Sequence, residues 1–274
     1  MKRVCIRKGK VFLLLFLGFA LIFRALPMET MKVGLYPLFR EVQYRIIAYR
    51  TRDFGVRETE HFIIKYQTKD DEVLDLIAEA SERYYDDVSR LLDYYPKKKT
   101  IVIVYDDPAK LMKNTNLRQG KPPMGVYYAS TVQILSPRLW VPENEDMREI
   151  FLNEGPMVHE FAHLLVDDLA KGNYPLWFTE GVALYQEYIH TGYEWGKDLE
   201  FEGAPYTISQ MTENFHQLDE MLAYKRSFEM MKHMVETYGP DGLNKVLRAL
   251  GRGENFSDVH REVFGKEIET IYGK

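Results

Sequence analysis

The run His159-Glu160-Phe161-Ala162-His163 sets two imidazoles four residues apart, with a carboxylate beside the first. On an α-helix residues i and i+4 share a face, so both rings can reach one ion while Glu160 lies close by. Such a run arises by chance in about one chain in a hundred of this length, so its setting has to carry weight. Here it sits inside a strongly helical stretch: Pro156 suits a first turn, apolar residues recur to about Ala170, and Gly172 is a natural stop. The one cysteine, Cys5, stands among the N-terminal basic residues. Thiolate ligands and intrachain disulfides are therefore excluded, and any metal must be held by His and carboxylate.

Catalytic zinc takes three protein ligands and keeps a position open. Residues 175–185 read Pro-Leu-Trp-Phe-Thr-Glu-Gly-Val-Ala-Leu-Tyr, placing Glu180 in an otherwise apolar helix. A carboxylate there is costly unless it is paired or bound to metal. A connection of about four residues folds this helix back beside the first, which makes Glu180 the third ligand and one zinc the default metal. The chemistry that follows is amide hydrolysis: zinc supplies Lewis acidity and water activation, and Glu160 serves as general base and then acid. The tetrahedral oxyanion needs a further donor, a tyrosine or a histidine, which spacing alone does not select.

The elements that must position these residues fall into two halves. His61–Tyr66 and Thr100–Tyr105 read as strands, and Gly125–Tyr128 with Thr131–Leu135 as a hairpin or extended edge pair. Between the first two, Asp70 to about Tyr95 has helical periodicity. From about residue 148 the pattern is helical, with helices expected from Pro156 and Pro175 and near 218–238, 240–250 and 256–273. Strands followed by helices define an α+β domain over 58–274.

The N-terminus differs from this body. Residues 1–31 hold six Lys/Arg and one acid, leaving 30 basic and 40 acidic residues in the rest of the chain. A body that acidic offers no footprint for nucleic acid. Residues 11–23 are uninterrupted apolar, the pattern of a secretory signal or anchor. As a helix they span roughly 20 Å, and extension to Met28 reaches roughly 27 Å, near the ~30 Å hydrocarbon core. No small-residue cleavage site follows, so residues 1–28 are expected to be an uncleaved single-pass anchor; secretion after cleavage is the alternative. The basic flank stays cytoplasmic and the body faces outward. Residues 29–57 then form a juxtamembrane connector. Within it Leu35, Leu38, Phe39, Val42 and Ile46 recur at helical spacing, as in an amphipathic helix lying on the membrane or on the domain.

The motif set resembles the gluzincin metallopeptidases, closest to the small bacterial peptidase MA-like proteins. In these HExxH is followed by Trp-x-x-Glu-Gly-x-Ala, here Trp177-Phe-Thr-Glu180-Gly181-Val-Ala183. The resemblance covers about residues 58–270. It implies a zincin-like domain: a small mixed sheet, an active-site helix beneath it, and a helical C-terminal half. It also implies that Tyr224, opening Tyr224-Lys225-Arg226-Ser227, stabilises the oxyanion, although Arg226 and Ser227 replace the family's Lys and Gly. Gly125–Leu135 becomes an edge strand that pairs with a substrate backbone. No Gly-x-Met-Glu-Asn segment is present, so recognition of a free amino terminus is not implied.

The expected function is therefore a membrane-anchored zinc metallopeptidase acting on peptide or protein substrates. The alternatives are a catalytically silent zincin-like binding module in an envelope assembly and a non-peptidase metal hydrolase. Asp167 and Asp168 could orient the ligand histidines, but a solvated acidic helix end is the simpler expectation. His190, His216 and His233 have no evident partner, and Met230, Met231 and Met234 are read as packing. Substrate and oligomeric state are not legible.

Overall fold

The computed structural model describes residues 28–67 and 69–272. Its sheet is organised around β3 (Thr100–Tyr105), which carries no charge and is buried along nearly its whole length. A strand apolar on both faces fits the middle of a covered sheet. β2 (Phe62–Tyr66) and β5 (Thr131–Leu135) flank it in parallel, and β1 (Gly55–Glu58) and β4 (Gly125–Tyr128) close the two edges antiparallel. The order is β1-β2-β3-β5-β4. The two-residue turn from β4 to β5 puts Ala129 and Ser130 at positive φ (53° and 61°), the left-handed pair that matches a hairpin's twist.

Both faces are covered. On one, Ile103, Tyr105 and Leu135 pack with Ile47 of α1 (Met28–Arg50) and Leu111 of α3 (Pro108–Asn114). On the other, Phe62, Ile64, Val102, Val104, Val132 and Ile134 join the main core with α2 (Asp71–Leu91) and the C-terminal helices. Those helices are α4 (Met147–Glu154), α5 (Met157–Ala170), α6 (Leu176–Thr191), α7 (Ile208–Glu213), α8 (Glu220–Tyr238), α9 (Pro240–Leu250), α10 (Phe256–Phe264) and α11 (Ile268–Tyr272). The small mixed sheet with a helical C-terminal half is the expected α+β arrangement.

Several boundaries differ from expectation. α2 is capped by Asp70, which accepts from the Val73 N–H at 3.2 Å, and it stops near Leu91 rather than Tyr95 because Asp93 turns left-handed (φ 45°). The single helix expected over 256–273 is two, parted at Gly265, whose positive φ of 68° forms a left-handed cap. β1 begins inside the stretch read as connector and ends one residue beyond it, and α3 follows Asp107, whose carboxylate caps it, where only a strand end was expected. The anchor expected over 1–28 falls, all but its last residue, outside the described residues. Among the described residues no helix is long and apolar enough to cross a membrane.

Candidate metal centre

α5 ends at Lys171 and Gly172, both left-handed (φ 52° and 71°), and Pro175 opens α6 a few residues later. This tight reversal lays α6 against α5, as the sequence spacing predicts. It brings Glu180 Oε2 to 3.3 Å from His159 Nε2 and 3.4 Å from His163 Nε2. One donor atom from each of the three residues lies within 4.8 Å of the other two.

The remaining ring nitrogens are already engaged. His159 Nδ1 faces Glu187 Oε2 at 3.2 Å, and His163 Nδ1 faces Thr179 Oγ1 at 2.7 Å. Those contacts leave both Nε2 atoms turned toward Glu180. Its Oε2 is buried yet forms no well-aligned hydrogen bond. Burial works against the Glu180 carboxylate, but the His163 and His159 rings outweigh it and hold the group well below the usual carboxylate range. Burial likewise disfavours a charged His159, and Glu187 and Glu180 override it and push the ring well above its ordinary value. Two imidazole nitrogens and a buried carboxylate oxygen without a well-formed hydrogen bond, converging at this spacing, form a donor set that fits a divalent cation of the zinc type.

Glu160 sits on the same helix but reaches elsewhere. Its Oε2 accepts from the Tyr127 backbone N–H of β4 at 2.5 Å. That contact requires the edge strand to lie close over α5, and Gly125 makes it possible. A Cβ there would stand 2.5 Å from Pro156 Cβ and 2.9 Å from Glu160 Cγ. Burial raises the Glu160 carboxyl above its ordinary value, with the Glu180 charge adding to the shift and both histidines opposing it.

Tyr224 arrives from α8. Gly181, next to Glu180, allows that approach, because a Cβ on it would fall 2.5 Å from the Ser227 carbonyl oxygen. Backbone-close packing of α6 on α8 thus carries Tyr224, one turn before Ser227, to the Glu180 carboxylate. Burial, then the charges of Glu180 and Glu160, raise its phenol far above the ordinary tyrosine value. The Trp195 and Phe215 rings pack around it.

Asp167 is not a solvated helix end. It is fully buried and accepts from Tyr36 at 2.5 Å, Tyr127 at 2.6 Å and Tyr174 at 2.8 Å, with Arg40 Nη1 3.3 Å away. Asp168 takes Arg40 Nη1 at 2.7 Å and Tyr94 at 3.1 Å. The carboxylate and hydroxyl that meet the Nδ1 atoms of His159 and His163 are instead Glu187 and Thr179, which sequence reading missed. Glu187 lies two helical turns after Glu180 on one face, a spacing that could have revealed it. His190 Nε2 pairs with Gln186 Oε1 at 2.8 Å, and Met230, Met231 and Met234 are buried packing as expected.

No curated protein matches the chain. Residues 147–273 match the family model of the Peptidase MA superfamily. That stretch runs from α4 to the end of α11 and contains His159, Glu160, His163, Glu180 and Tyr224, so the helical half of this chain is metallopeptidase-like and similar to the Peptidase MA superfamily.

Proposed function

We propose that this chain is a zinc metallopeptidase of the gluzincin type, hydrolysing peptide bonds at the outer face of a membrane. The supporting observation is the convergence of His159 Nε2, His163 Nε2 and the buried Glu180 Oε2 on one small volume. An ion held by these three residues contributes Lewis acidity toward a water and toward the scissile carbonyl.

The chain's own residues supply the rest. Glu160 takes the proton of the attacking water and returns it to the leaving amine; its raised carboxyl pKa moves it toward the range where both transfers are easy. The Tyr127 N–H fixes the rotamer of Glu160, so the base does not search for its position. Tyr224, whose phenol stays protonated, donates to the developing oxyanion. β4, at the edge of the sheet beside α5, offers backbone groups to an extended substrate. The apolar run at 11–23, with basic residues before it, holds the enzyme at the membrane with the domain outside; secretion after cleavage is the alternative.

The test is zinc content and cleavage of a peptide library by the full chain, beside His163→Ala and Glu160→Gln. Stoichiometric zinc in the wild type and in Glu160→Gln, little in His163→Ala, and cleavage by the wild type alone are the expected results. A folded wild type that takes up no zinc would sink the peptidase function. Zinc uptake without cleavage would point to the silent binding module or to a non-peptidase hydrolase.

A further inference from the structure

α1 has two apolar aspects, and only one is used by the fold. Val33 and Ile47 are buried against the domain, and from the same side Tyr36 and Arg40 reach Asp167 and Asp168. Roughly 140° around the helix, Leu35, Leu38, Phe39, Val42, Ile46 and Tyr49 fall in a stripe about 100° wide. Each of these six side chains is between 46% and 68% exposed. A water-soluble helix carries polar residues on such a face, so a continuous stripe of large apolar side chains needs an occupant.

We infer that this stripe lies in the interfacial layer of a lipid bilayer, so that α1 rests flat on the membrane with the domain fixed to its other side. This rests on the proposed membrane anchoring by the N-terminal segment. Two observations select lipid over a second copy of the chain. In sequence the apolar run 11–23 ends only a few residues before Met28, so a segment seated in the bilayer delivers the start of α1 at its surface. The stripe is also bordered by exposed basic residues, Lys32 and Arg50 along one side and Arg45, which pairs with Glu41 at 2.7 Å, along the other. Such borders suit anionic headgroups and would repel one another across a symmetric contact between two copies.

The docked face makes the orientation firm. The Tyr36 hydroxyl donates to Asp167 at 2.5 Å and Arg40 Nη1 to Asp168 at 2.7 Å, both part-buried, so α1 is bolted to the C-terminal end of the metal-ligand helix α5. A stripe seated in lipid therefore sets the attitude of the whole domain toward the membrane, in place of a domain swinging on a tether.

The test uses the full chain with Cys5→Ser as a cysteine-free background. Nitroxide labels are placed one at a time through Leu35→Cys, Phe39→Cys and Ile46→Cys on the stripe, Glu41→Cys off the stripe, and Glu143→Cys on the body. The protein is reconstituted in phosphatidylcholine vesicles containing phosphatidylglycerol, and collision rates with oxygen and with a water-soluble nickel chelate are measured. The expected result is oxygen-rich and several-fold chelate-protected labels at the three stripe positions, with the opposite preference at Glu41 and Glu143. Chelate collision on the stripe equal to that at Glu143, in a chain that floats with the vesicles, would overturn the inference and leave the anchor standing. Spin–spin broadening between chains at the stripe positions would assign the stripe to a second copy and overturn it too. A chain that never floats with the vesicles would overturn anchor and stripe together.

Discussion

Helix α5 carries two buried acidic clusters, and they are opposites in how their oxygens are satisfied. Toward its C-terminal end Asp167 receives three tyrosine hydroxyls and lies beside a guanidinium, so the charge is compensated from every side. In the middle of the helix His159 and His163 turn two nitrogens onto Glu180, whose Oε2 lacks a well-formed hydrogen bond. A buried carboxylate supplied with all its donors holds elements together, here α1, α5, β4 and the turn before α6. A buried acceptor beside convergent imidazoles is instead a donor set that fits a divalent cation. The difference separates scaffold from chemistry along α5, with Glu180 supplied by α6. The two clusters communicate through one residue: Tyr127 gives its hydroxyl to Asp167 and its backbone N–H to Glu160.

The largest effect that tests this division falls on Glu160. Glu160→Gln keeps an acceptor for the Tyr127 N–H but loses the ability to take a proton. Peptide cleavage should fall by about 10²–10⁴-fold, while thermal melting and zinc content stay at wild-type values. A variant that lost stability instead would place Glu160 with the scaffold.

Asp167→Asn is the converse. Removing the charge leaves Arg40 with Asp168 alone and asks three hydroxyls to share one amide oxygen. Stability measured by urea unfolding should drop by about 3–5 kcal/mol, with zinc stoichiometry unchanged. An unchanged urea midpoint would mean that the tyrosine cluster does not hold α1 and β4 in place.

His260 shows that an unsatisfied buried group is not by itself a site. It is fully buried among Phe256, Phe264 and Tyr272, neither ring nitrogen has a well-formed hydrogen bond, and among the described residues it belongs to no group of three metal-ligating side chains. Burial, with weaker opposition from the Lys266 backbone and then from Glu269 and Glu267, depresses its ring to about 4. The folded state therefore keeps it neutral where an unfolded chain takes up a proton below the ordinary value of about 6.5. Its contribution to stability is complete above that pH and is lost progressively as pH falls to about 4, about 3 kcal/mol in all. His260→Leu should remove that part of the slope when urea midpoints are compared across this window. A variant with the same slope as wild type would mean that His260 does not titrate with unfolding.

The His–His–Glu cluster of this contrast was legible in the sequence and the scaffold part was not. HExxH and the lone acid in an apolar helix are local signals, and the tight turn between α5 and α6 needed only Gly172 and Pro175. Asp167 is different: two of its partners lie 131 and 40 residues away in the chain, and nothing near it marks burial. An acid close to a helix end reads as solvated until α1 is seen to cover it. β1, reading Gly-Val-Arg-Glu, carries too little apolar pattern to declare a strand; its pairing with β2 makes it one. The helix over Leu35 to Ile46 was visible from its period, but the period reported the exposed stripe rather than the docked face.

The smallest effect tests which cluster Glu187 belongs to. It is mostly buried and touches His159 Nδ1 at 3.2 Å, so it could be either a scaffold acid that happens to meet a ring or the group that aims the ring. A carboxylate on Nδ1 fixes the tautomer that leaves Nε2 free for a metal and strengthens that nitrogen as a donor. Glu187→Gln keeps a hydrogen-bonding group of the same size, so packing and urea midpoint should hardly move. Zinc affinity, measured by competition with a chelator, should fall by about 10–100-fold. Lost stability with unchanged zinc affinity would instead move Glu187 to the side of Asp167. His159 would then be aimed by the helix alone, and the boundary between scaffold and chemistry would run between Glu180 and Glu187 on α6.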